Sequence, residues 1–600
     1  MATTSLPNIG VYTSENIGVE QDVDGVASVA FNSAQTGMWT DPDTWTEDGV
    51  PGIGDTVTIA TGHTVTVPTG AFVTVGHSPG ESDSTPAINI IGDLVMSDNS
   101  TLYCRGDLDL ADGNLTAGAG CIWKFDTTAA ATPSTAFYRF RSGTAISQSS
   151  LITFTGTEDN RSSFLSDSGG ANAYSEAPAS GTGNYSFTYT DITGIGDGST
   201  RKAFRLYSCD VKYVFVNCRF DDCGLMDGNT NMTATGIFQM TDNNFKNSLG
   251  TLNVQVRGLA LTSGTREFLR NACDLRVDFF VGNDFTVEDN YITRFSCTGG
   301  DLASFQNNVI LNTGVVMNIN TSSIVNSLFL SNVAANSHFM RAQSGDLSTL
   351  SITGCLYQNI NTSCDGQGDM ILPPAFASGL TASISNCIGL PSSNSTPTIS
   401  GTMVTLGGGA NTTAVIDHCT YYASDNGAIN FAETYGGHTN MVTSIRSNLA
   451  LTIGGGEGYI AREVGTGVAN MVTVAGYNAR ETMTGSYDST AGVITSEGSN
   501  DQTGIDPDLV HPFRRIEDWD DNLNGPGTSA NAVAELAKMN DSDWDTNYNP
   551  QAVITYLKAG YSPRNQALES AGHDGEDIGA IDVTVPAVLA LPIPVRHRVF

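Results

Sequence analysis

The chain has 600 residues, with 27 Lys and Arg against 62 Asp and Glu, a formal net charge of −35. A surface this acidic repels a phosphate backbone or an anionic bilayer, which argues against nucleic-acid partners. Only 15% of residues are charged while Gly numbers 65, a balance that disfavours long helices, so the expectation is an all-β protein of strands and tight turns.

The first residues, "MATTSLPNIGVYTSENIG", carry neither a basic segment nor an apolar core and do not read as a secretory signal. No run of about 18 apolar residues follows anywhere, so membrane insertion is not expected. Residues 1–36 lack repeats and read as an N-terminal attachment or capping arm. In the next stretch, "GMWTDPDTWTEDGVPGIGDTVTI", Trp39 and Trp45 are placed to cover the open end of a first coil. "TVTIATGHTVTVPTGAFVTVG" then alternates Val57, Ile59, Val65 and Val67 with Thr, the period-2 signature of half-buried strands. In "DLDLADGN", Asp107, Asp109 and Asp112 are the candidate ligands for a surface Ca²⁺, without the residue order of an EF-hand. Apart from that ion no cofactor is expected.

From Val214 the chain repeats itself. "VFVNCRF" returns as "QMTDNNF", "TVEDNYI", "SFQNNVI", "SIVNSLF", "SITGCLY", "SISNCIG", "VIDHCTY" and "SIRSNLA". The equivalent positions are Cys218, Asn243, Asn290, Asn308, Ser327, Cys355, Cys387, Cys419 and Asn448, separated by 25, 47, 18, 19, 28, 32, 32 and 29 residues. The gap of 47 reads as two coils with one degenerate copy. A strand repeating at this interval without helical periodicity predicts a β-solenoid over 37–500, with insertions confined to loops. Residues 55 to 480, taken at about 27 per coil, make on the order of 16 coils and a rod roughly 75 Å long. In a parallel β-helix the repeated Asn residues stack inward as a ladder, and the cysteines of the same file are buried thiols. The 11 cysteines are odd in number and lack close pairs, which argues against zinc and against a complete disulfide framework.

The densest charged stretch is "TREFLRNACDLRVDFFVGNDFTVEDN". Here Glu267 and Asp278 are the candidate catalytic acid–base pair, with Arg270 and Arg276 orienting an acidic sugar. The competing reading is surface ion pairing that neutralises the carboxylates or splits them between faces. Two weaker pairings are His338 with Arg341, and Glu463 with Arg480 and Glu481. The long loop region "YYASDNGAINFAETYGGHTN" offers Tyr421, Tyr422 and Tyr435 as aromatics either for stacking on sugar rings or for packing between subunits. Beyond it, "SANAVAELAKM" (529–539) and "PQAVITYLKAG" (550–560) are short amphipathic helices within a C-terminal capping or oligomerisation region, 501–600. The apolar "VPAVLALPIPV" (585–595) is expected to bury itself against another chain.

Gly37, Trp39, Trp45, Val50, Pro51, Gly54, Asp55, Val57 and Ile59 match the opening module of many bacterial and phage right-handed β-helix proteins. Near the other end, Ser562, Pro563, Gly572, Asp577, Ile578, Gly579 and Ala580 are similar to the ending of pectate-lyase-like β-helices. The chain thus resembles a pectate-lyase-like right-handed parallel β-helix of the bacteriophage tail-fibre or tailspike type. That resemblance implies a homotrimer located on the virion, contacting other virion proteins and attaching to a host surface polysaccharide or protein. The alternatives are a virion-borne polysaccharide lyase or hydrolase, and a capsid decoration or head spike. A catalytic role is not the favoured reading.

Overall fold

The computed structural model describes residues 28–78, 86–125 and 550–583, together with strand segments and connecting turns between 137 and 526. The chain is all-β with long parallel sheets, as its composition requires. It visits the sheets in turn. Thr64–Val67 leads to Phe72–Gly76 and Ile88–Ile90, and then Asp93–Met96, Thr101–Arg105 and Leu108–Leu110 pair in parallel with those three in the same order.

The first ladder contains 18 described strands, from Gly37–Met38 to Val493–Ser499, each hydrogen-bonded to the strand one repeat further on. A second ladder runs beside it from Phe72–Gly76 to Gln502–Thr503. Two six-stranded sheets, Ala30–Asn32 to Tyr174–Glu176 and Met340–Arg341 to Tyr487–Asp488, and two two-stranded sheets hold the other described strands. This pattern is compatible with a parallel β-helix.

The repeat that begins at "VFVNCRF" has a structural meaning. Each copy is a first-ladder strand, one left-handed residue, one inward small polar residue and a second-ladder strand. The left-handed position is filled by Asn217, Asp242, Arg270, Asp289, Asn307, Asn326, Gly354, Asn386, His418, Ser447, Tyr477 and Asn500, with φ between 44° and 67°. Asn, Asp and Gly dominate because a short polar side chain or none tolerates positive φ. An earlier corner depends on glycine for a different reason: a Cβ at Gly113 would collide with the carbonyl oxygen of Gly92.

The inward residue after each turn forms a ladder. Asn243 Nδ2 donates to Asn271 Oδ1 (2.9 Å), Asn271 Nδ2 to Asn290 Oδ1 (3.1 Å), and Asn290 Nδ2 to Asn308 Oδ1 (3.0 Å). Asn308 donates its backbone N–H to Ser327 Oγ at 3.2 Å, and Asn448 Nδ2 reaches Asn478 Oδ1 at 3.1 Å. Asn271 is the degenerate copy inside the gap of 47, and Asn478 is a further rung in "VAGYNAR" that the repeat reading missed. Cys218, Cys355, Cys387 and Cys419 occupy the same column, buried and free of disulfides. Around this column packs one apolar core, with aromatic stacks such as Phe154, Phe187 and Phe215 at 5.2 and 5.3 Å between centroids. Trp39 and Trp45, in edge contact at 5.1 Å, are buried in the same core next to the end strand Gly37–Met38.

The described part of the C-terminal region lies along the side of the second ladder. The residue following each rung points outward, and in the early coils it is polar, as at Arg219 and Asn244. From there it becomes Ala272, Tyr291, Val309, Leu328, Leu356, Ile388, Thr420, Leu449 and Ala479; the apolar ones are buried beneath Val553, Ile554, Leu557, Tyr561, Leu568, Ile578 and Ala580, and Thr420 Oγ1 accepts the Ala580 N–H at 2.9 Å. The helix Pro550–Ala559 supplies the first of these, with proline tolerated at its start. Polar anchors fix it: Gln551 Nε2 donates to Asp289 Oδ1 (3.0 Å) and Lys558 Nζ to the Gly354 carbonyl (3.0 Å). Residues 1–27, the helical pattern at 529–539 and the apolar tail at 585–595 lie outside the described residues.

Candidate functional site

The charged stretch does not assemble the acid–base pair its sequence suggests. Glu267 sits on Arg266–Leu269 in the first ladder, and Asp278 sits on Ala272–Phe279 in the second, with the turn at Arg270 and Asn271 between them. Glu267 faces outward and accepts from Gln239 Nε2 at 3.4 Å, whereas Asp278 is buried at 1% exposure. Arg270 faces neither carboxylate. Its guanidinium makes a two-pronged pair with Asp242 on the neighbouring turn, at 2.6 and 2.8 Å. That hydrogen bond to Asp242 raises the pKa of Arg270 further, against the smaller opposing effect of burial. Arg276 lies on the same strand as Asp278, opposite Asn253 and Arg294, and its side chain is outside the described residues.

The aromatic reading is corrected at Tyr421. Strand alternation turns it inward, where it is fully buried opposite Gly389 and Ala450, so no sugar can reach its ring. The glycine opposite it leaves room for the ring. Tyr422 on the same strand and Tyr435 on Ile429–Tyr435, in a different sheet, are placed only by backbone. His338 and Glu481 fall outside the described residues, while Glu463 and Arg480 stand in separate sheets.

A candidate binding surface lies instead on the outer face of the first ladder. Register brings Thr64, Asp93, Asn114, Leu151, Asn184 and Lys212 into one column across six successive rungs. With Val95 and Thr116 beside them, these residues line an open groove of about 480 Å³. The column is held by its own hydrogen bonds: Asn114 Nδ2 donates to Asp93 Oδ1 (2.9 Å), Leu151 N–H to Asn114 Oδ1 (3.1 Å), and Lys212 N–H to Asn184 Oδ1 (2.6 Å). Rungs spaced by about 4.8 Å offer donors and acceptors at an interval close to the length of one pyranose ring. Leu151 and Val95 add apolar patches between the polar groups. Sequence reading missed this surface because its residues lie on different coils; the signal was the Gly–Asp opening of the strand at Asp93 without the register that aligns it.

A second cluster lies where the C-terminal segment meets the turns. Asp417 Oδ1 is 3.3 Å from His418 Nδ1 and 3.6 Å from His573 Nδ1, and His418 Nε2 is 3.3 Å from Asp574 Oδ1. Ser447 Oγ contacts His573 Nδ1 at 2.9 Å and accepts the His573 backbone N–H, also at 2.9 Å. The hydrogen bond with Asp417 raises the pKa of His418, opposed by burial and reinforced by the charges of Asp417 and Asp574. Among the described residues, Asp417, His418 and Asp574 form the one group of three whose ligand atoms all lie within 4.8 Å of one another. Asp107, Asp109 and Asp112 do not converge in this way, and Asp109 is buried.

The nine described cysteines are buried and free of disulfides. Burial pushes Cys218 up to about 12 and holds Cys104 and Cys355 well above the ordinary range. Among the described residues no helix is long and apolar enough to cross a membrane. Comparisons with protein-family models, with curated proteins and with solved structures find no match.

Proposed function

We propose that this chain is a right-handed parallel β-helix that serves as an attachment protein on a bacteriophage virion, of the tail-fibre or tailspike kind and assembled as a homotrimer. It holds a host surface glycan along the outer face of its first ladder. The observation that carries this reading is the column Thr64, Asp93, Asn114, Leu151, Asn184 and Lys212, which lines an open groove of mixed polar and apolar surface. Asp and Asn suit the paired hydroxyls of a sugar, and Lys212 adds a cation for an acidic glycan in a chain that is otherwise short of positive charge. The groove is built on strands, so binding requires little reordering. The separation of Glu267 from Asp278 onto different ladders favours binding over cleavage.

The test is to incubate the purified chain with host capsule or lipopolysaccharide, measuring both retention and glycan length. Retention of full-length glycan, weakened by about tenfold or more in Asp93→Ala and Lys212→Ala, is the expected result. Equal retention by those variants, or no retention by the parent, sinks the reading. Shortened glycan that disappears in Glu267→Gln replaces it with a depolymerase.

A further inference from the structure

We propose that Asp417, His418 and Asp574 form a binding site for a divalent transition-metal ion of the zinc type, which staples the C-terminal segment to the turns of the stack. The inference does not depend on the glycan reading. Two carboxylates and an imidazole are a donor set that zinc accepts, and the three lend ligand atoms mutually within 4.8 Å. The 3.3 Å between His418 Nε2 and Asp574 Oδ1 matches the edge between two ligands held about 2 Å from a shared metal. That nitrogen is also covered by protein and makes no hydrogen bond there. When that nitrogen carries its lone pair, the pair has no full-strength partner, and a metal would supply one.

The surroundings are organised as support for such a site. Asp417 Oδ1 accepts the His418 backbone N–H at 3.1 Å, and Asp574 Oδ1 accepts that of Glu576 at 3.2 Å, which fixes both carboxylates. His573 stands beside Asp417, outside the group of three, and is oriented by Ser447. Elsewhere in the column the left-handed turn residue is most often Asn, Asp or Gly, but here His418, Ser447 and Tyr477 take three consecutive turns and all approach His573. Asp574 belongs to a different part of the chain, so a metal shared with His418 cross-links two segments that meet only after folding. It would add stability through its preference for the folded state.

The experiment uses the full-length, tag-free chain, stripped with chelator and titrated with Zn²⁺ by calorimetry at neutral pH. One saturable equivalent is expected, with a rise in melting temperature, and about tenfold or greater weakening in His418→Asn and in Asp574→Asn. Asn is chosen at 418 because it tolerates the left-handed turn. Should His418→Asn fail to fold, Asp574→Asn decides the matter, since Asp574 is an exposed loop residue. Co²⁺ in place of Zn²⁺ should give ligand-field absorption that both variants lose. No saturable binding by the parent, or binding undiminished in Asp574→Asn, overturns the proposal.

Discussion

One inward column carries two chemistries. From Asn243 to Asn308 the rungs are amides, each bonded to the next, and each Nδ2 also donates to a carbonyl of the coil before, as Asn308 does to Val287 at 2.8 Å. From Cys355 to Cys419 the rungs are thiols. Their sulfurs lie 3.3 to 3.6 Å from the carbonyl two residues back and 3.7 to 3.9 Å from one on the preceding coil. The position therefore requires a small side chain that can face backbone carbonyls, and it does not require an amide. What differs is coupling: amides link each coil to its neighbours, while thiols fill space as small apolar groups with weak donors.

The sharpest way to break that contrast is a charge in the amide stretch. Asn308→Asp replaces an Nδ2 donor with an oxygen facing the Val287 carbonyl. A loss of about 3–5 kcal/mol in denaturant melts is expected, as for an uncompensated buried charge. A loss as small as that of Cys387→Ala, about 1 kcal/mol for a small buried group, would show that the amides are no more coupled than the thiols.

The thiol stretch should reveal itself at alkaline pH. Burial raises the pKa of Cys355 and Cys387 in the folded chain. The stability they contribute is fully present below the unfolded thiol value, near about pH 8.5, and is lost as pH rises toward the folded value. The slope approaches about 1.4 kcal/mol per pH unit for each thiol. The double variant Cys355→Ala, Cys387→Ala should melt with a visibly flatter decline above that pH. An unchanged slope would mean that these thiols already ionise in the folded state, which alkylation of the native chain would confirm.

The smallest effect belongs to the outer rim of the same turns. Arg270→Asn removes an exposed ion pair with Asp242 but relieves an unfavourable left-handed residue. Two terms of about 1 kcal/mol or less then oppose each other, and the melting curve should barely move. A large loss would show that the turn column is held from outside rather than by its inward rungs.

The column was legible in the sequence because its turns impose local rules. A left-handed residue followed by a small one recurs from Asn217 to Asn500 where the chain passes from the first ladder to the second. Asn271 escaped notice because Arg270 stands before it where Asn or Asp is usual, and the charges around it were read for chemistry. Tyr421 was misplaced because "TYYA" does not say which of two adjacent tyrosines points inward; the register against Gly389 and Ala450 does. The groove and the metal-type cluster were out of reach for a stronger reason. Both join residues whose proximity depends on coil length, which varies with every insertion. The change from Arg219 and Asn244 to Ala272, Tyr291 and Val309 at one repeat position was a readable sign that something covers the later coils.

That cover has a consequence for biosynthesis. Residues 550–583 leave the ribosome only after every coil they shield, so the outward stripe from Ala272 to Ala479 is bare throughout translation of the intervening chain. Coils can stack as they emerge, because each needs only its predecessor. The stripe cannot be sealed until the last contributor arrives. During that interval a half-made chain presents a sticky flank to its polysomal neighbours, and premature termination makes the exposure permanent. A chain without the segment keeps that apolar flank uncovered, the kind of surface that chaperones and proteases engage.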